Sequence, residues 1–203
     1  NLRDFVLGTR LMDGRGEDLS FGGKVMKNVA GYDVSRLLPG SLGTLALLLE
    51  ASVKVLPKPA ATASLRCTIK QDRALRILNE WVGQPLPINA SAWIGKTNEE
   101  GQLTVRLAGA NAAVATASKM MVAELSATLM DFTDAVNFWN ELREQAHAWF
   151  KELAPGNALW RLSLPAHCPS IPMPIGFNPT SIMEWHGQQR WFQGPANQSI
   201  SNT

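Results

Sequence analysis

The chain contains 203 residues, of which 45% are apolar and 18% are charged, and its formal net charge is +2. This much apolar mass argues against a disordered chain, and there is no run of eighteen apolar residues that could form a membrane-spanning helix. Lys and Arg are scattered and there are two cysteines, so neither a nucleic-acid-binding surface nor a disulfide scaffold is predicted.

The two ends of the sequence suggest a piece of a longer protein. The first residue is Asn1 rather than Met, and no charged and apolar leader of the secretory kind follows it. Residues 193–203 are polar and rich in Asn and Ser, which predicts a disordered tail. We therefore expect a fragment, and a cytoplasmic location for the protein it belongs to.

Residues 1–58 are predicted to form a Gly-rich β unit. Strands at 4–12 and 18–21 form a hairpin around the Asp13-Gly14 turn. A short helix at 32–38 ends at Pro39-Gly40. Residues 44–56 are β-like, and the unalternating run 45–49 predicts a strand that is covered on both faces.

Residues 64–192 are predicted to form an α+β domain, after a Pro-containing linker at 59–63. Alternation and apolar runs predict strands at 65–69, 90–95, 102–108, 158–164 and 181–192, the last turning near Gly187. Helices are predicted at 112–125 and after two N-cap residues, Asp72 and Asp131, with the apolar face of the last helix reaching Phe150. The element order predicts an antiparallel sheet with helices on one face.

The segment 22–57 contains the densest motif. A short polar helix is followed by Gly40-Ser41-Leu42-Gly43-Thr44 and then by an apolar strand. Glycines allow the backbone to approach a planar or phosphorylated ligand, while hydroxyls and free amides can bind oxygen acceptors. A tight loop packed on a sheet explains the same pattern, so this loop alone leaves both interpretations open.

The whole segment resembles the flavin-binding domain of the vanillyl-alcohol oxidase family, also called PCMH-type, and within it the FAD-binding subunit of bacterial glycolate oxidases. The matching runs are Lys27-Asn28-Val29-Ala30-Gly31-Tyr32-Asp33, Arg36-Leu37, Gly40-Ser41-Leu42-Gly43-Thr44-Leu45, Glu50 and Lys54-Val55-Leu56-Pro57. Residues 6–9, 159–165 and 189–191 also look like parts of that subunit. The resemblance therefore covers most of the chain.

The resemblance implies that residues 1–58 are the second half of an FAD-binding domain and that residues 64–192 are a cap domain. It implies a subunit of a complex that oxidises glycolate or a related 2-hydroxy acid, with a second flavin subunit and an iron–sulfur subunit as partners. Through these partners the complex would lie at the inner membrane. Two alternatives stay open, namely a self-sufficient FAD-dependent 2-hydroxy-acid dehydrogenase and a non-catalytic assembly subunit whose flavin site has decayed.

The family resemblance also implies which residues contact FAD. They are Lys27, Asn28, Gly31, Tyr32, Asp33, Gly40, Ser41, Gly43, Thr44, Ala46, Leu47 and Glu50. The first flavin subdomain and the C-terminal end of the family's flavin domain are expected to lie outside this fragment. We therefore expect the fragment itself to bind FAD weakly or not at all, and to be inactive.

Two positions depart from the family pattern. Relatives that oxidise 2-hydroxy acids have an Arg and a Thr where this chain has Met26 and Ala30. A thioether or a methyl group cannot hold a carboxylate as a guanidinium does. The departure favours a subunit whose FAD transfers electrons while another subunit binds the substrate, and no catalytic residue is assigned.

Each of the other polar residues in or near the motif has two possible roles, one at the flavin and one that is only structural. Tyr32 is either an acid near the flavin or a packed ring with a hydrogen-bonded hydroxyl, and Asp33 is either a helix cap or a catalytic group. Lys24 and Lys27 either stabilise charge near the flavin or are solvated. Histidines and cysteines lack the spacing of metal ligands, so no metal site is predicted.

Overall fold

A computed structural model describes residues 2–23, 33–97 and 99–197. The chain divides into two compact units, Asn1–Lys58 and Pro59–Thr203, and each contains its own antiparallel sheet. The architecture is therefore mixed α and β with antiparallel sheets, in agreement with the predicted α+β class. Among the described residues, no helix is long and apolar enough to cross a membrane.

The first unit is a three-stranded sheet in the order β2-β1-β3. Its strands are β1 (Val6–Met12), β2 (Asp18–Gly22) and β3 (Leu47–Val53). Strands β1 and β2 form the predicted hairpin, and Asp13 Oδ1 accepts hydrogen bonds from the backbone amides of Arg15 and Glu17 at 2.8 and 2.9 Å. The described part of the predicted helix at 32–38 is a short 3-10 helix, Val34–Leu37, which lies against β1.

The apolar run that enters β3 is exposed within this unit, so the prediction of a strand covered on both faces is wrong for the described residues. Leu47 and Leu48 are 62% and 50% exposed. Strand β3 is at the edge of the sheet and pairs with β1. An apolar sequence shows which surface a strand can bury, but it does not supply a second layer of structure to cover that surface.

The second unit is built on a seven-stranded antiparallel sheet in the order β7-β4-β6-β5-β9-β10-β8. The strands are β4 (Ala61–Lys70), β5 (Ile88–Lys96), β6 (Glu100–Gly109), β7 (Thr128–Leu129), β8 (Asn157–Ser163), β9 (Thr180–Glu184) and β10 (Gln189–Pro195). Strand β4 begins inside the segment 59–63 that was expected to be a linker. Strand β10 continues into the first residues of the segment 193–203 that was expected to be a tail.

Helices cover both faces of this sheet, whereas the sequence predicted helices on one face. The helices are α1 (Gln71–Val82), α2 (Asn111–Leu125), α3 (Phe132–Arg143) and α4 (Ala148–Lys151). Trp93 and Ala92 are neighbours on β5 and are both 0% exposed, but they belong to different cores. Trp93 packs in the core with α1 and α2, and Ala92 packs in the core with α3 and α4. Because successive strand residues point to opposite faces, the sheet has one core on each side.

The helix ends differ in part from those predicted. Asp131 caps α3 as expected, since its side chain accepts hydrogen bonds from the amides of Thr133 and Asp134 at 2.7 and 3.4 Å. Asp72 is not the N-cap of α1, because the helix begins at Gln71, so that the N-cap is Lys70, two residues earlier, and Lys70 makes no side-chain cap.

The single helix predicted from Asp131 to Phe150 is two helices. Helix α3 ends at Arg143, and Gln145 has a φ of +53°, which a continuing helix does not tolerate. His147 then caps the single turn of α4, with its Nδ1 accepting the Trp149 amide at 3.2 Å.

Candidate cofactor site

The loop Gly40–Thr44 of the first unit has an unusual backbone. Gly40 and Gly43 have φ values of +89° and +77°, and Leu42 between them has a φ of +51°. Glycine adopts such angles freely, but for leucine the left-handed conformation costs about 1–2 kcal/mol. The Leu42 side chain is 94% exposed, so its own burial within the chain does not offset that strain. Strain of this kind concentrates at functional sites.

Turn hydrogen bonds hold the loop in shape. The Ser41 amide donates to the Leu38 carbonyl at 2.9 Å. The Ser41 carbonyl accepts from both the amide and the hydroxyl of Thr44, at 3.0 and 2.6 Å. The Thr44 hydroxyl, predicted as a group for ligand oxygens, thus already donates within the loop.

Three amides of the loop stay available. Within the described part of the chain, the backbone amides of Gly40, Leu42 and Gly43 have no hydrogen-bond acceptor. A Cβ placed on Gly40 or Gly43 would meet no atom within 4 Å. The loop therefore offers amide donors beside open space, and these are the features that a phosphate or a flavin oxygen requires from a backbone site. The described residues fit FAD in this respect.

Glu50 forms an ion pair with Arg10 on the surface of the sheet. Its Oε1 is 2.8 Å from Arg10 Nη1, and Arg10 Nη2 is 2.7 Å from Asp18 Oδ2. The hydrogen bond from Arg10 lowers the pKa of Asp18 from its ordinary value, and the two carboxylates raise that of Arg10. Sequence reasoning missed Arg10, because its pairing with Glu50 depends on the register of β1 against β3.

Asp33, Ala46 and Leu47 lie on either side of the loop. Asp33 Oδ2 is 3.0 Å from Arg36 Nε, and Asp33 Oδ1 accepts the Ser35 hydroxyl at 2.9 Å, but Asp33 makes no side-chain cap on the 3-10 helix. Ala46 is half-buried, whereas Leu47 at the start of β3 is exposed. The remaining candidates and departures fall outside the described residues; they are Lys24, Met26, Lys27, Asn28, Ala30, Gly31 and Tyr32.

Comparisons with known proteins extend this picture. No family model matches the chain. It is 41% identical over 196 residues to glycolate oxidase subunit GlcE of Escherichia coli (strain K12), a match that covers 97% of this chain and 50% of GlcE. It is 46% identical over 63 residues to glycolate oxidase subunit GlcD of Bacillus subtilis, covering 31% of this chain and 13% of GlcD. It is 41% identical over 63 residues to an uncharacterised FAD-linked oxidoreductase of Mycobacterium tuberculosis, covering 31% of this chain and 14% of that protein.

Over 31% of its length the chain is similar to an FAD-linked oxidoreductase. Over nearly its whole length it is homologous to the glycolate oxidase subunit GlcE, which confirms the resemblance predicted from the motif. The chain spans about half the length of that relative.

Proposed function

We propose that the chain is part of the FAD-binding subunit of an oxidoreductase that oxidises glycolate or a related 2-hydroxy acid. The observation on which this depends is the 41% identity to GlcE over 97% of the chain. In this proposal the first unit is the second half of a PCMH-type FAD-binding domain, and the second unit is the cap domain.

The loop Gly40–Thr44 binds the cofactor in this proposal. The amides of Leu42 and Gly43 donate to phosphate or flavin oxygens, and the glycines keep the approach clear of side chains. Leu47, exposed where β3 begins, offers apolar surface next to the loop. When bound, FAD accepts the electrons removed from the hydroxy acid and passes them on.

The substrate is bound elsewhere than at the motif of the first unit. Met26 and Ala30 stand where related hydroxy-acid dehydrogenases have an Arg and a Thr, and neither side chain can hold a carboxylate. The protein therefore works with a second flavin subunit and an iron–sulfur subunit, at the inner membrane through these partners. The names of GlcE and GlcD, each a glycolate oxidase subunit, support an enzyme of several subunits.

A matched pair of glycine variants tests the cofactor site. Gly43 (φ +77°) and Gly156 (φ +83°) are both in the left-handed region with open space around them, but Gly156 is in the second unit. Both Gly→Ala substitutions add similar backbone strain. In the full-length protein, Gly43→Ala should weaken FAD binding by about tenfold, since it adds a methyl group where the backbone meets the cofactor, and Gly156→Ala should leave it unchanged. Flavin absorbance after gel filtration measures both, and equal losses would refute the assignment of the loop.

The absorbance and turnover of the full-length protein separate the two alternatives. Turnover of glycolate or lactate by the protein alone would establish the self-sufficient dehydrogenase. A colourless protein, with no flavin released on denaturation, would establish the assembly subunit. Bound flavin together with turnover only after the partner subunits are added is the result that we expect.

A further inference from the structure

The second unit contains a cleft of about 460 Å³ on the face of the sheet that α3 and α4 cover. Three arginines reach it from three elements, Arg106 from β6, Arg143 from the last turn of α3 and Arg161 from β8. The cleft also has aromatic walls from Trp139, Trp185 and Trp191. We call it the arginine cleft.

The arginines have little local compensation. Arg106 Nε donates to the neutral Asn89 Oδ1 at 2.6 Å, and neither Arg106 nor Arg161 has an ion-pair partner among the described residues. Arg143 Nε is 2.7 Å from Glu144 Oε1, but both side chains are more than 60% exposed, so water screens that pair.

The cleft contains one carboxylate, that of Glu184. Its Oε2 already accepts hydrogen bonds from Trp191 Nε1 at 2.7 Å and from Gln189 Nε2 at 3.0 Å. Three arginines against one glutamate give the lining itself a net charge of +2, and Glu144, which pairs with Arg143 beside the cleft, reduces the local balance to +1. An incoming anion meets two cations that no side chain of the described chain neutralises.

Without a bound anion, the positive charge of Arg106 is in an unfavourable electrostatic environment. Burial, followed by the like charge of Arg143, lowers the pKa of Arg106. A partly buried cation that is repelled by a second cation is stabilised when an anion lies between them.

Aromatic rings orient two of the guanidinium groups. Arg106 Cζ lies 5.1 Å from the centroid of the Trp139 ring, and Arg161 Cζ lies 5.8 Å from that of Trp191. A guanidinium stacked on a ring keeps its N–H groups at its edges, where they match the oxygens of carboxylate and phosphate. Stacking also restricts the rotamers of these side chains before an anion binds, so that less conformational entropy is lost on binding.

We propose that the arginine cleft binds a small organic anion that bears two carboxylate or phosphate groups. Its volume is in the range of small-molecule sites, and two anionic groups match the two arginines, Arg106 and Arg161, that have no ion-pair partner among the described residues. Every lining residue belongs to the second unit, so the proposal is independent of the flavin site in the first.

Two probe anions, malonate and pyrophosphate, test the proposal on the purified protein. Trp139, Trp185 and Trp191 line the cleft, so occupancy should change the intrinsic tryptophan fluorescence. Sodium chloride at matched ionic strength controls for general screening. The variants are Arg106→Gln and Arg143→Gln, and the matched control is Arg76→Gln, which removes an exposed arginine from α1 on the opposite face of the sheet.

We expect saturable binding of at least one probe, weakened about tenfold in Arg106→Gln and in Arg143→Gln, because each loses a charge-assisted hydrogen bond, and unchanged in Arg76→Gln. The Arg143 side chain is 71% exposed, so Arg143→Gln keeps its fold and stays decisive if Arg106→Gln does not fold. Preference between the probes identifies the anionic group. Absence of saturable binding, or equal weakening in all three variants, would overturn the proposal.

Discussion

The two units use apolar strand residues in opposite ways. In the first unit the apolar run of β3 is exposed, with Leu47 at 62%. In the second unit, strand residues on both faces are buried, and Leu103 on β6 and Ile182 on β9 are 1% and 0% exposed in the two different cores. The difference comes from layers rather than from sequence composition, since the second unit has helices on each side of its sheet.

This contrast has a direct energetic consequence. Burial of apolar surface contributes about 25 cal/mol per Å², and in the first unit the buried apolar side chains include Val6 and Leu11 of a single strand, β1. The second unit has two clusters of buried residues that join all of its long helices to the sheet. We therefore expect the second unit to be the more stable of the two.

Truncating one leucine in each unit tests this contrast most strongly. Leu78 of α1 is 1% exposed, and Leu78→Ala should lower the free energy of unfolding by about 2–5 kcal/mol through lost burial and a residual cavity. Leu47→Ala removes the same atoms from an exposed position and should cost less than about 0.5 kcal/mol. Urea unfolding measures both. A cost for Leu47→Ala equal to that of Leu78→Ala would show that β3 is covered in solution.

Helix capping gives the next largest effect, within the second unit. Asp131→Ala removes the side-chain acceptor for two amides of α3 and should cost about 1 kcal/mol. Lys70 occupies the same N-cap position of α1 without a side-chain cap, so Lys70→Ala is a matched control with little expected change. If both variants unfold at the same urea concentration, the Asp131 cap does not stabilise the unit.

The sequence predicted the long strands well, but it predicted helices on only one face of the seven-stranded sheet. The polar face of β4 shows why the second layer of helices was missed. Strand β4 alternates apolar and polar residues, which predicts one buried face. Its polar face is covered by aromatic side chains that satisfy polar groups: Trp139 Nε1 donates to Ser64 Oγ at 2.9 Å, and Arg66 stacks 5.1 Å from the centre of the Phe138 ring. A polar residue that will receive an aromatic partner looks the same in sequence as one that faces water.

The candidate site was predictable to the extent that it is local. The glycines of the loop Gly40–Thr44 indicate positive φ angles and close approach of the backbone, and the structure has those angles at Gly40 and Gly43. The strained Leu42 has no local signal, because leucine rarely adopts this conformation. The partner of Glu50 was not predictable either, since Arg10 is forty residues away along the chain and the register includes an irregularity next to Arg10.

The exposed ion pair between Arg10 and Asp18 in the first unit should give the smallest effect on stability. Because Arg10 lowers the pKa of Asp18, folding stabilises the ionised carboxylate. That stabilisation is present above the unfolded pKa of about 4 and is lost as the pH falls through the lower folded pKa.

The Asp18 carboxyl, followed by NMR, should titrate below its ordinary pKa in the unaltered protein and near that pKa in Arg10→Gln. Arg15→Gln removes an exposed arginine from the same hairpin and should leave the titration unchanged. Both side chains of the pair are nearly half exposed, so 1 M salt should reduce the shift through screening. A titration midpoint that is the same with and without Arg10 would mean that the pair does not form in solution, and that backbone pairing alone holds β2 against β1.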